Sequence, residues 1–380
     1  MRKNNKLILL TIDPKSLISF KGDLIRALIK NGFKIIVLSN NFSNKTKQDL
    51  DLIGAEVREV YINRLGLNIF KESKSFLQLI QTIRNIEPNY IITYFAKSNI
   101  FGLLSSKIAG VKNRYAIIEG LGYPFTKDPN RFSIKKVLFF ILLSFFYKLS
   151  LSQASKVFFL NKDDLGDFRK FNIISKRTKS YVLGPIGINP KDYPYYKINI
   201  NEPISFLFIG RLIREKGILE FLKAAKIINQ SFPTVKFIVL GSFEDKKNPG
   251  YIKRDKLRYL LDTSYITWPG NVDVLPWIKK SHVFVLPSYR EGFPRSTQEV
   301  MSVGRAVITT DVPGCRDTVI EGKNGFIVPA GDIYALVKTM KYFICNPEKI
   351  ILMGKESYLI SNKFFSNKIF NKSIIEQIKN

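Results

Sequence analysis

Cysteine occurs only twice in the 380 residues, at Cys315 and Cys345, and neither lies in a Cys-x-x-Cys pair or a Cys/His cluster. A disulfide framework and a structural zinc site are therefore not expected, and a reducing cytoplasm suits the chain. Long apolar runs are also missing. The longest, VLFFILLSFFYKLSL from Val137 to Leu151, would span roughly 22 Å as a helix against a hydrocarbon core of about 30 Å, and it carries Lys148. The opening MRKNNKLILLTIDP has an apolar stretch, Leu7 to Ile12, too short for a secretory leader and stopped by Asp13-Pro14, so it reads as a first strand. Acidic residues are scarce: 31 Asp and Glu face 60 Lys and Arg, for a formal charge of +29. Such an excess suits nucleic acid, an anionic membrane surface or a multiply charged phosphate ligand. Drift toward lysine in a chain also rich in Ile, Asn and Phe would produce the same excess without any partner.

What is present is apolar residue enough, 45%, for two cores, and a length that favours two domains. Short apolar runs alternate with amphipathic stretches, the pattern of parallel sheets covered by helices on both faces, an α/β class. Strands are expected at Leu7–Ile12, Lys34–Leu38, Val57–Ile62, Tyr90–Tyr94, Tyr115–Ile118, Val157–Leu160 and Tyr181–Leu183. A second series is expected at Ile204–Gly210, Phe237–Leu240, Tyr265–Trp268, Val283–Leu286, Val307–Thr310 and Gly325–Val328. Between them GPIGINPKDYPYYKININEP, Gly184 to Pro203, reads as an interdomain linker. The expected domains are residues 1–190 and 191–360, facing each other across a cleft, with a final helix, 361–380, that packs back on the first. Ligands of open parallel sheets sit at the carboxyl ends of the strands, so the loops after these strands are where chemistry is expected.

Two such loops carry charge. The strand ISFLFIG runs into RLIREKGILEFLKAA, so Arg211 leaves the strand end at Gly210 while Lys216 and Gly217 precede a helix. Two cations beside the amides of a helix start suit a diphosphate, with arginine gripping its oxygens and lysine acting as a mobile point charge; surface cations of a basic protein would look the same. The second loop, PSYREGFPRSTQEV, puts Glu291 and Gly292 after a strand and Glu299 into the helix that follows, expected from about Thr297. Glu291 offers acceptor oxygens that hydroxyl-rich ligands require. Glu299 has a competing explanation, because Ser296-Thr297-Gln298-Glu299 spells a capping box in which the glutamate reaches back to the serine.

Taken together, GRLIREKG and PSYREGFPRSTQEVMSVGRAVITTDVPGCRDTVIEGKNGFIVPAGD resemble the C-terminal domain of glycosyltransferase family 4. The likeness extends over nearly all of Phe206 to Leu336. The first half is similar in SFKGDLIRALIKNGFKIIVLS, NRLGLN, TYFAKSNIFGLLSSKIAG and IEGLGYPFT to bacterial enzymes that extend lipid-linked oligosaccharides. The resemblance implies a GT-B fold of two Rossmann-like domains and sugar transfer from a nucleotide donor with retention at the anomeric carbon. It implies catalytic roles for Arg211, Lys216 and Glu291, ribose binding by Glu299, and nucleotide-sugar contacts at Gly210, Gly292, Phe293 and Thr297. UDP-N-acetylhexosamine is the expected donor, with UDP-hexose and GDP-mannose as alternatives; no metal or other cofactor is implied.

Two departures matter. DPKSLISFKG, which includes Lys21, stands where many members carry a Gly-Gly loop, and no histidine stands in the first domain; the single His282 begins a strand and reads as structural. Glu119, Gly120, Gly122 and Lys21 are the candidates for acceptor or donor-sugar contact, although Glu119 reads equally as a solvated loop carboxylate. Asp49 and Asp51 spell Asp-Leu-Asp within a helix and read as a solvated face. The expected partners are a nucleotide sugar, a lipid-linked saccharide and, through Arg131, Lys135, Lys136 and Lys148 around the greasy helix, an anionic membrane surface on the cytoplasmic side. The alternative for that helix is burial in the first core. Nucleic acid is not expected, since no recognised binding motif accompanies the charge.

Overall fold

The computed structural model of the chain describes residues 5–62, 69–126 and 133–380. NRLGLN, at residues 63–68, and Arg131 lie outside them. Two compact units divide the described residues, one drawn from Met1–Gly120, Ser133–Ile186 and Phe370–Asn380, the other from Leu121–Phe132 and Gly187–Ile369.

The first unit runs β1 (Asn5–Leu10), α1 (Pro14–Lys30), β2 (Phe33–Ser39), α2 (Asn44–Leu52), β3 (Glu56–Glu59), α3 (Ile69–Ile86), β4 (Tyr90–Tyr94), α4 (Ala96–Ile108), β5 (Asn113–Ile118), α5 (Ile134–Leu151), β6 (Lys156–Phe159), α6 (Lys162–Lys170) and β7 (Ser180–Val182). Its strands form one parallel sheet in the order β3-β2-β1-β4-β5-β6-β7. The inner strands are continuous apolar runs because helices cover both faces: Leu7 to Leu10 and Ile91 to Tyr94 are all buried. Helix α1 begins where Asp13 accepts from the Ser16 amide ahead of Pro14. The expected Val57–Ile62 strand ends at Glu59, since β3 is an edge; Val60 and Ile62 still enter the core.

The second unit runs β8 (Ser205–Ile209), α7 (Ile218–Ser231), β9 (Lys236–Leu240), α8 (Arg254–Leu261), β10 (Ile266–Gly270), α9 (Leu275–Lys280), β11 (Val283–Leu286), α10 (Arg295–Ser302), β12 (Ala306–Thr310), β13 (Gly325–Val328), α11 (Ile333–Cys345) and α12 (Pro347–Phe364). Its parallel sheet has the order β10-β9-β8-β11-β12-β13. Phe206, Phe208, Phe237 and Phe284 are fully buried at its centre, each contributing about 1.5–3 kcal/mol. The Pro-rich segment after Gly184 is packed rather than loose: Ile188 and Ile198 are buried, and Ser302 Oγ donates to Tyr193 O at 2.7 Å. The last helix, α13 (Asn367–Lys379), gives its end to the first unit, where Tyr115 donates to Ile378 O and Lys156 Nζ to Gln377 O.

In each sheet the chain winds outward to one side of the first strand and then returns to build on the other. The reversals fall between β1 and β4 and between β8 and β11, the two topological switch points. Burial of the greasy helix in the first core is overturned. Only Tyr147, Ser150 and Leu151 of α5 are buried, while Ile134, Leu138 and Phe145 are 76%, 66% and 60% exposed.

Candidate active site

At the β8/β11 switch point the chain leaves β8 through Gly210 and Arg211, makes a single tight turn at Arg214–Lys216, and enters α7 from Gly217. Gly217 sits at φ 72°, and a Cβ there would overlap the carbonyl of Pro287. Only glycine lets the two loops approach so closely. The approach delivers Lys216 to the loop after β11, with its Nζ 2.5 Å from Glu291 Oε1, which also accepts from Ser288 Oγ at 2.8 Å. A second glycine completes the seat: Gly314, φ 76°, lies against the carbonyls of Glu291 and Gly292, and the Glu291 amide donates to Pro313 O. The Asp-Val-Pro-Gly stretch therefore backs the carboxylate loop. Arg211 is half exposed and only 3.8 Å from Glu244, a weak pairing that keeps its guanidinium available to an anion. Gly217, the cap residue of α7, has no side chain to accept from the first-turn amides.

The capping-box reading of Glu299 is overturned. Helix α10 begins at Arg295 with Pro294 as its cap, not at Thr297, so Ser296 is already helical and Glu299 lies two places beyond the capping position. Its Oε1 instead accepts from Tyr193 at 2.9 Å and from Arg295 at 2.8 Å. Burial pushes the Glu299 carboxyl above its ordinary range, against the opposing pull of Arg295. Nearby Thr297 is fully buried, and its Oγ1 has no hydrogen-bond partner among the described residues. Orphaned hydroxyls of this kind are rare in native interiors. Phe293 turns its ring edge-on to Phe365 and packs on the core, so it presents backbone rather than a face.

In the first unit, Lys21 and Glu119 form another close pair, 2.5 Å apart, with the ammonium 4.5 Å from the Tyr94 ring centre. Lys21 is 2% exposed. It is thus placed to hold Glu119 rather than to meet a ligand itself, a correction to its expected contact role. Glu119 and Gly120 follow β5, and Gly120 and Gly122 take φ values of 141° and 70° that bend the loop. The fully buried Tyr94 hydroxyl has no partner among the described residues, and burial drives its pKa up. Sequence reasoning passed over Tyr94, Ser288 and Tyr193. The first two stand at strand ends, a signal available in the sequence, whereas Tyr193 lies in the Pro-rich stretch and had none. Among the described residues no group of three or more His, Cys, Asp or Glu is placed to hold a metal, and Asp51 is an exposed residue of α2.

Residues 203–346 match the family of group 1 glycosyl transferases. An N,N'-diacetylbacillosaminyl-diphospho-undecaprenol alpha-1,3-N-acetylgalactosaminyltransferase of Campylobacter jejuni is 27% identical over 325 residues, 82% of this chain and 81% of that protein. The chain carries a group 1 glycosyl transferase domain and is a glycosyltransferase. An Escherichia coli UDP-Gal:alpha-D-GlcNAc-diphosphoundecaprenol alpha-1,3-galactosyltransferase is 24% identical, covering 76% of each chain. Sucrose-phosphate synthase from Thermosynechococcus elongatus superposes with a TM-score of 0.79 at 18% identity, over 99% of this chain and 98% of that one, which shows the GT-B fold. The matched family span contains Gly210, Arg211, Lys216, Glu291, Gly292, Phe293, Thr297 and Glu299, but not Lys21, Glu119, Gly120 or Gly122.

The glycosyltransferase has its one histidine in a structural place. His282 Nδ1 accepts from the Ser205 amide at 3.2 Å, and Nε2 donates to Asn199 O at 2.9 Å. Burial lowers its pKa from 6.5. The folded state therefore binds this proton less readily than the unfolded chain, so the stabilisation is complete above pH 6.5 and is lost as pH falls below it. His282→Asn is expected to reduce stability by about 1–3 kcal/mol at pH 7.5, to flatten the acid limb of thermal unfolding between pH 6.5 and 5, and to leave the pH profile of turnover unmoved. A shifted turnover profile would contradict the structural assignment.

Proposed function

We propose that this glycosyltransferase moves an N-acetylhexosamine from a UDP donor, with retention, to a saccharide carried on a polyprenyl diphosphate. Support for the acceptor class comes from the Campylobacter and Escherichia relatives, whose names both specify diphospho-undecaprenol acceptors. The observation that carries the donor assignment is the Lys216–Glu291 pair at the β8/β11 switch point, a cation and a carboxylate set side by side at a helix start. In this reading Arg211 and Lys216 take the diphosphate, Glu291 the donor sugar and Glu299 the ribose. Glu119, Gly120 and Gly122 in the loop after β5 take sugar hydroxyls, with Lys21 fixing Glu119.

Transfer then needs no protein base. The acceptor oxygen bonds to the anomeric carbon on the face from which the phosphate oxygen departs, and that departing oxygen takes the hydroxyl proton. Catalysis rests on positioning and on cations set where negative charge grows. The acceptor lipid places the reaction at an anionic membrane surface on the cytoplasmic side, where the charge of +29 is favourable. Purified protein, UDP-N-acetylglucosamine or UDP-N-acetylgalactosamine, and a short-chain polyprenyl-diphosphate saccharide are expected to give product that persists in EDTA and keeps the donor's anomeric configuration by NMR. Inversion would end the retaining mechanism. Transfer only from UDP-hexose or GDP-mannose would replace the donor.

A further inference from the structure

Helix α5 inverts the usual pattern of a surface helix. Ile134, Leu138, Ile141, Phe145 and Leu149, spaced by three and four, form one stripe and are 76%, 66%, 57%, 60% and 45% exposed. Leu142, 49% exposed, widens the stripe. The small polar residues point the other way, with Ser150 buried and the Ser144 hydroxyl shut off from solvent. On the packed side Tyr147 meets Phe168 and Phe140 meets Phe171, edge to face. A soluble surface helix presents polar residues outward. This one contains no Asp or Glu at all, and lysines stand at both ends: Lys135 and Lys136 at the first turn, Lys148 near the last.

Two occupants of that stripe are disfavoured on physical grounds. No helix among the described residues is long and apolar enough to cross a membrane. A second copy of α5, laid parallel or antiparallel, would set lysine against lysine at both ends and oppose its own docking. An anionic lipid surface satisfies both features, since acyl chains take the stripe and headgroups take the ammonium groups.

We infer that α5 lies in the plane of an anionic membrane, with Leu138, Ile141 and Phe145 sunk into the acyl boundary and Lys135 and Lys148 held at the phosphates. The inference rests on the lipid-linked acceptor of the proposed function and identifies the element that meets that lipid phase. The test uses the full chain and vesicles of phosphatidylcholine with or without one part in three of phosphatidylglycerol. The wild-type protein is expected to sediment with the anionic vesicles. A Leu138→Gln/Ile141→Gln/Phe145→Gln variant should lose at least about tenfold in partition. A Lys135→Gln/Lys148→Gln variant should lose about thirtyfold and much of its salt dependence.

In a separate Leu142→Trp variant, bromine-labelled lipid should quench the new fluorophore, which reports insertion directly. Donor hydrolysis without acceptor should be the same in all of these proteins. Loss of hydrolysis in the wild type would therefore count against the proposed function and leave the docking result standing. Equal sedimentation of the wild type and the triple glutamine variant, absence of quenching, or a dimer that the triple variant abolishes would overturn the assignment of α5.

Discussion

Replacing Lys216 with alanine is expected to lower turnover by about two to three orders of magnitude while changing stability by less than about 1 kcal/mol. The two effects separate because the lysine has different work in each. In the folded protein it makes one ion pair with Glu291, itself also bonded to Ser288, and its side chain is 21% exposed. Glu291 keeps the Ser288 hydroxyl as a partner when the ammonium is removed, which limits the cost to folding. During transfer, in contrast, a diphosphate gains negative charge as its bond to the anomeric carbon breaks, and a preset cation lowers that barrier without reorganising. Lys216→Arg should recover only part of the loss, because a planar fork does not fit the space of a point charge beside Glu291. The check is kcat at saturating donor together with thermal unfolding. Near-normal turnover in the alanine variant would remove Lys216 from the chemistry, and a collapse of stability would make it a structural lysine.

The parts of this site that could be read from the sequence are those that follow from strand ends. Arg211, Lys216 and Glu291 stand past apolar runs closed by Gly210 or Pro287, and Glu119 directly follows the run that ends at Ile118; the ends of such runs in parallel sheets are where ligands gather. The strands themselves were legible for the same reason: burial on both faces writes an unbroken apolar run into each. Partners distant in the chain were not legible. Lys21 meets Glu119 across 98 positions, and Tyr193 meets Glu299 across 106. Local pattern even misled at Ser296-Thr297-Gln298-Glu299, because the helix boundary, not the spacing, decides whether a glutamate caps. The run at Val137–Leu151 has the same letters whether it faces a core or a membrane, and only packing distinguishes them. The structure leaves most of it uncovered.

Glu299→Gln is expected to weaken donor binding by about 10- to 150-fold, the range for losing hydrogen bonds to a charged acceptor, while leaving the protein as stable as before or more so at pH 7.5. The second half follows from the direction of the carboxyl's shift. Burial raises its pKa above 4.5 despite Arg295, so the folded protein holds this proton more tightly than the unfolded chain does. Between pH 4.5 and the raised folded value the folded state binds more protons, and stability falls as pH rises through that window. At pH 7.5 an ionised, buried Glu299 therefore opposes folding, and glutamine removes that cost while still accepting from Tyr193 and Arg295. The stability difference between variant and wild type should vanish below about pH 4, where both side chains are neutral. In the proposed donor site that charge serves to accept from the ribose hydroxyls, beyond its pairing with Arg295. Calorimetric titration with UDP and thermal unfolding from pH 4 to 8 test both halves together: a destabilised variant with unchanged UDP affinity would assign Glu299 to the fold alone.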